Sequence, residues 1–241
     1  LNSKTVLKKR KFYLIAFVIT LLVFIGIFYL TTSKIKDYND LTLVNLLVAI
    51  VLVIVMARFR TTLYAYNNMA RTAKLIELQN SPVSFKYNVV EYRTRLLTLG
   101  YELFTKTPKF EFYTKYVLDE SRKRSKVWRL SYTVVVFDNN MDFYSNEINE
   151  MIHKFEDQLD KKKMPKYYEI LVYKAYPNGI PESETSKIGE IVNYNVKNVH
   201  FCQINIGLDL GSDKAYYLYS KQYSPSYNYK IAVRTIEKQI L

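Results

Sequence analysis

The chain has few of the residues from which most catalytic motifs are built. Its 241 residues include one cysteine, two histidines, six glycines and six prolines. A single cysteine, Cys202, excludes an internal disulfide and any cysteine-based zinc site, and it suits a reducing compartment. With so little glycine there is no phosphate-cradling loop and no dinucleotide fingerprint, so nucleotide chemistry of those folds is excluded. No Gly-x-Ser-x-Gly elbow occurs, and neither histidine neighbours a serine suited to a triad. No cofactor is expected.

Acidic residues are also scarce, 22 against 35 Lys and Arg, for a net charge of +13. The imbalance is concentrated at the start, where residues 1–80 carry 11 basic and 3 acidic side chains. In the remainder only Arg122, Lys123, Arg124 and Lys126 form a dense basic cluster. They sit between two alternating segments and read as a solvated hairpin turn, with a phosphate or lipid contact as the alternative. The charge therefore reports topology more than nucleic-acid binding, and no specific nucleic-acid partner is expected.

What the chain does have is apolar sequence in two long runs. Residues 12–30 contain no charge, and residues 41–57 have only Thr42 and Asn45 as polar members. At 1.5 Å per residue these runs come to about 28 Å and about 26 Å of helix, against a hydrocarbon core about 30 Å thick. Tyr64, Arg58 and Arg60 are suitable interfacial flanks for the second. Neither a pair of buried core helices nor a cleaved signal peptide fits as well. The first run has no polar face, exceeds the 7 to 15 residues of a signal peptide core, and is followed by a second run.

Lys4, Lys8, Lys9, Arg10 and Lys11 precede the first run, and Arg58, Arg60, Arg71 and Lys74 follow the second. Between the runs, Lys34 and Lys36 are balanced by Asp37 and Asp40. The positive-inside rule then places both termini in the cytoplasm, in a multi-pass protein of the cell membrane. Lys8, Lys9, Arg10, Lys11, Arg58 and Arg60 are the residues expected to meet anionic lipid headgroups. The expected organisation is a basic cytosolic arm over 1–11, transmembrane helices over 12–30 and 41–57, an external loop over 31–40, a helical stalk and linker over 58–84, and a cytosolic α+β domain over 85–241.

Within that domain, hydrophobic spacing predicts a helix over 87–99 closed by Gly100, and a β-hairpin from the alternation of 110–119 and 128–136. Ile148, Met151, Ile152, Phe155 and Leu159 make one apolar stripe on a helix over 143–163. Residues 168–175, apolar on both faces, read as a central strand. A short helix over 187–194, a second hairpin over 199–208 and 215–220 around Gly211-Ser212-Asp213, and a closing helix over 229–240 complete a sheet of about five strands with packed helices.

Chemistry-bearing residues are sparse. His153 has Glu150 and Asp157 within one helical turn, half of a carboxylate-bridged metal motif whose other half is missing. His200 and Cys202 share one face of a strand with Ile204, Ile206 and Leu208, which suits a core more than a catalytic dyad. Glu169 and Lys174 resemble the acidic-then-lysine pair of metal-dependent nucleases, but a spacing of five puts them on opposite faces. Asp138 and Asp142 lie near a strand end, where Asp142 also suits a helix N-cap. Six tyrosines between 216 and 229 include Tyr223, Tyr227 and Tyr229, a candidate recognition surface. No catalytic, cofactor or metal site is assigned. The expected function is a membrane-anchored protein whose cytosolic domain binds a protein partner or a second copy, or acts as a scaffold. The alternatives are a membrane-tethered hydrolase or nuclease, and an accessory subunit of a transport complex, the latter suggested by Asn45 if it lies at a helix interface.

Overall fold

The structure is a computed structural model and describes residues 3–80, 82–85, 88–119, 127–160, 164–196 and 199–240. It divides into two compact units, Leu1–Glu77 and Leu78–Leu241. The first consists of two helices, α1 (Ser3–Lys34) and α2 (Tyr38–Glu77), each long and apolar enough to cross a membrane. No residue in the apolar window of either is buried. The link is shorter than residues 31–40, because both helices extend into it and leave only three residues between Lys34 and Tyr38. Asp37 makes that possible by accepting the orphan N–H groups of Asn39 and Asp40 at 2.8 and 3.0 Å.

The two helices run antiparallel and are held at three levels. Thr31 donates to Asn45 Oδ1 at 2.8 Å, Phe17 meets Phe59 edge to face, and Tyr13 stacks on Tyr66. This register sets Arg58 and Arg60 beside Phe17, within the apolar run of α1. The basic end of α1 lies six residues away at Lys11, about 9 Å along the axis. Without a break, α2 then continues past Arg60 to Glu77.

The second unit is a mixed sheet with helices on both faces. Its elements are β1 (Val83–Ser84), α3 (Val89–Thr98), β2 (Glu102–Lys106), β3 (Phe110–Asp119), β4 (Val127–Val136), α4 (Asn146–Glu156), β5 (Tyr167–Tyr176), α5 (Glu182–Ile188), β6 (Ile191–Val196), β7 (Val199–Asp209), β8 (Lys214–Tyr216) and α6 (Tyr227–Ile240). The sequence predicts about five strands; among the described residues the sheet has eight, in the order β1-β8-β7-β5-β4-β3-β2, with β6 also on β7. β4, β5 and β7 are parallel neighbours and the remaining pairs are antiparallel.

Three differences have local causes. The helix predicted over 187–194 is two elements, because Gly189 and Glu190 separate the last turn of α5 from the β-branched start of β6. β2 has no alternation to read, since it is an edge strand whose five side chains are exposed or half-buried. β8 ends at Tyr216, short of residue 220. At the end of α3, Gly100 adopts φ +80°, while Tyr101 N–H bonds to Leu96 O and Gly100 N–H to Leu97 O, the paired closure of a left-handed cap.

Strand parity divides the core. One face carries Phe112, Leu130, Tyr132, Val134, Tyr168 and Val172 and is covered by Ile148 and Ile152 of α4 and Ile188 of α5. α5 lies so close to β7 that a Cβ on Gly207 would stand 2.4 Å from Ile188 Cδ1. The opposite face carries Tyr113, Thr133, Tyr173, Cys202 and Ile204 and packs under α3 and α6.

Candidate functional site

Because β4 leads through α4 to β5 and β5 through α5 toward β7 in one direction, both crossovers lie on one face. The strand order does not reverse among the parallel strands, so the usual α/β switch point is missing. A cavity of about 470 Å³ opens past the carboxyl ends of β5 and β7, lined by Gly179, Ile180, Asp209 and Tyr216 among others, and a polar cluster stands next to it on α5. Lys174, 1% exposed, donates to Glu184 Oε2 at 3.1 Å, and Tyr176 Oη donates to the same oxygen at 3.0 Å. Lys187 bridges Glu184 Oε1 at 3.2 Å and Asp142 Oδ2 at 2.5 Å. The Lys174 ammonium also lies 5.5 Å from the ring centres of Phe143 and Tyr176.

The cluster is electrically closed, with two ammonium groups facing two carboxylates. Burial alone pushes the Glu184 carboxyl up, but hydrogen bonds from Lys174, Tyr176 and Lys187 outweigh it and hold it below its ordinary range. The Lys187 hydrogen bond does the same for Asp142, helped by the Tyr144 N–H. With every charge engaged, the cluster fastens α5 to the sheet and offers no free acid or base. Asn205 extends it, donating to Lys187 O and Tyr144 Oη at 2.9 Å each.

The face under α3 and α6 is more polar than a sheet core usually is. Gln239 of α6 donates to Thr133 at 2.9 Å and accepts from Tyr173 Oη at 2.6 Å. Arg93 of α3 makes a two-pronged contact with Glu111, which is 1% exposed and also accepts from Tyr113 Oη at 2.8 Å. Desolvation raises the Glu111 carboxyl, and the hydrogen bonds from Arg93 and Tyr113 reverse this to a net lowering. A third group, Glu169 with Ser131, Tyr101 and Arg129, borders a cavity of about 150 Å³.

The Arg93–Glu111 contact carries a prediction. A carboxyl lowered in the folded state adds stability above its unfolded pKa, and that stability is lost as pH falls through the folded value. Arg93→Ala is expected to cost about 3 kcal/mol at neutral pH, since it leaves a buried carboxylate short of its main partner. It is also expected to flatten the acid side of the stability profile. Denaturant titrations from neutral pH to pH 3 check both, and an unchanged acid limb would refute the assignment.

Residues singled out from the sequence are distributed unevenly. Arg122, Lys123, Arg124 and Lys126 lie outside the described residues. Of the tyrosines, Tyr227 is exposed and Tyr223 half-buried, but Tyr229 is 1% exposed and donates its hydroxyl to Leu218 O. Tyr229 therefore belongs to the core, because its ring falls on the buried stripe of α6 with Ala232 and Ile236. Tyr217 and Tyr219 are likewise buried and stack on each other.

His153 is exposed on α4, with Nδ1 3.4 Å from Glu156 rather than gathered with Glu150 and Asp157. Among the described residues no three His, Cys, Asp or Glu side chains converge on one point. Cys202 is buried, and burial pushes its thiol far up, away from nucleophilic thiolate. His200 stacks on Tyr167. Glu169 and Lys174 stand on opposite faces, Glu169 under α6 and Lys174 under α5. Ser145 caps α4, leaving Asp142 to Lys187, and Asp138 holds its own turn through Asn140 N–H.

Glu184, Glu111 and Gln239 are not legible as a site in the sequence, and Lys174 is legible only as one half of a pair that the fold separates. For Glu111 and Lys174 the signal is a charged residue at an inward strand position, whereas Glu184 lies in a polar segment and gives none. Comparison with protein-family models, with curated proteins and with solved structures gives no match.

Proposed function

We propose that the chain is a membrane-anchored binding protein. In this reading α1 and α2 cross the cell membrane as a hairpin with both termini cytoplasmic, and the α/β domain engages a protein partner or a second copy from the cytosolic side. The observation that carries it is the exposure of the apolar helices. Leu22, Ile25, Leu43, Val53 and Ile54 are all more than 60% exposed, and a helix apolar all round has its place in lipid or in a protein core. At about 0.8 kcal/mol per buried CH₂, two such surfaces are incompatible with water.

The basic residues fit the same reading, at two depths. Lys8, Lys9, Arg10 and Lys11 meet the anionic headgroups directly. Arg58 and Arg60, set beside Phe17 by the helix register, reach the same headgroups by extending along α2 toward its cytosolic end, with their aliphatic stems in the apolar layer. Binding rather than catalysis is supported by the closed cluster around Glu184, whose charges neutralise one another. Asn45 is engaged by Thr31 inside the hairpin, so it gives no separate support for a transport subunit. The test is fractionation. Membranes washed with alkaline carbonate are expected to retain the full chain, and its release to the supernatant would refute the anchor.

A further inference from the structure

The cavity of about 150 Å³ lies between the sheet face of β3, β4 and β5 and the ends of α3 and α6. Its floor is Glu169, 2% exposed. One carboxyl oxygen, Oε1, accepts from Ser131 Oγ at 2.7 Å, and that hydroxyl is 2.8 Å from Tyr101 Oη. The other, Oε2, has no donor within hydrogen-bond distance among the described residues; Thr235 lies near the carboxyl, but its hydroxyl donates to Ile231 O at 3.1 Å. Arg129, itself 8% exposed, stands 3.8 Å from Oε2, beyond hydrogen-bond reach. A buried carboxylate oxygen without a donor is costly, and it calls for a group that brings one.

The walls say what kind of group. Arg129, Lys115 and Lys238 line the cavity, three cationic residues to one acidic. Lys115 uses one N–H on Leu99 O at 2.5 Å, which holds its ammonium at the wall with two donors left. A simple anion would suit the cations and be repelled by Glu169. A simple donor such as an amine would suit Glu169 and be repelled by the cations. An oxyanion that carries its own proton satisfies both.

We propose that this cavity binds a protonated oxyanion of the hydrogen-phosphate or phosphomonoester class, with Arg129, Lys115 and Lys238 facing its charge and Glu169 Oε2 sharing its proton. The cavity has room for a phosphate group and a small substituent. Burial pushes the Glu169 carboxyl up, which suits a proton held between two oxygens. Sulfate, matched in shape, has no proton to share at mildly acidic or neutral pH and is rejected by the carboxylate. The site goes beyond the anchored binding protein proposed above and does not depend on how the helices sit in lipid.

Isothermal titration of the full chain in mild detergent at pH 5.5, below the second pKa of about 6 of a phosphomonoester, with inorganic phosphate, methyl phosphate and sulfate, tests this. Phosphate or methyl phosphate is expected to bind saturably and sulfate at least ~100-fold more weakly, as expected when an unprotonated anion must face a carboxylate oxygen that has no donor of its own. Tighter binding of methyl phosphate identifies a monoester as the ligand, and tighter binding of inorganic phosphate identifies the free ion. Glu169→Gln, which puts an N–H donor where the acceptor was, is expected to bring sulfate and phosphate to similar affinity. Should that variant fail to fold by circular dichroism, Lys115→Met at the cavity wall is expected to weaken phosphate about tenfold with the fold intact. No saturable phosphate binding by the unmodified chain, or sulfate bound as well as phosphate, would overturn the proposal.

Discussion

Glu184→Ala is expected to lower the unfolding free energy of the α/β domain by about 3 to 5 kcal/mol, among the largest effects available from one side chain in this chain. The cause is not the loss of a favourable ion pair as such. Lys174 is 1% exposed, and Glu184 is the carboxylate that meets its ammonium. Removing Glu184 leaves a buried cation with the rings of Phe143 and Tyr176 and only the charge of Asp142, which makes no hydrogen bond to it. Lys174→Met should behave differently, because a flexible apolar side chain fills the same space and Glu184 keeps Lys187 and Tyr176 as donors. Its expected cost is below about 1.5 kcal/mol. Trp128, the one tryptophan, lies in β4 against Tyr116, so its fluorescence follows the α/β domain alone. Equal costs for the two variants would show that the cluster does not act as described.

The second large effect concerns the apolar helices. Residues 78–241, expressed alone, are expected to be soluble without detergent and to show the Trp128 transition of the full chain. The full chain without detergent is expected to aggregate. The basis is the compactness of that unit and the segregation of its apolar side chains to the two inner faces of the sheet. Sedimentation and fluorescence decide the matter. A fragment that precipitates or unfolds without a cooperative transition would mean that the two units are not separable.

Long-period signals were the readable part of this sequence. α1, α2 and the β3–β4 hairpin follow from uninterrupted apolar runs and from alternation along much of two ten-residue segments, patterns long enough to outvote any single residue. The short edge elements were not readable. β1 has two residues, β2 has no buried alternation, and β6 follows α5 so closely that their apolar positions merge into one apparent helix.

The polar groups of the domain fail for another reason. Glu111, Glu169 and Lys174 each occupy an inward strand position, and alone each reads as an isolated violation of the pattern. Arg93, Arg129 and Glu184, which compensate them, come from 18, 40 and 10 residues away, and only the fold brings them together. Tyr229 shows the converse. A cluster of tyrosines suggested a surface, whereas helical phase places Tyr229 inside.

The central claim, a hairpin with its domain on the cytosolic side, is tested most directly by cysteine accessibility in intact cells. The native Cys202 is buried, so the chain supplies its own silent background. Lys36→Cys, in the link between α1 and α2, and Glu150→Cys, on the exposed side of α4, place single thiols at the two ends of the question. A membrane-impermeant maleimide is expected to label Lys36→Cys directly and Glu150→Cys only after the membrane is permeabilised. Labelling of Glu150→Cys in intact cells with Lys36→Cys protected would contradict the account.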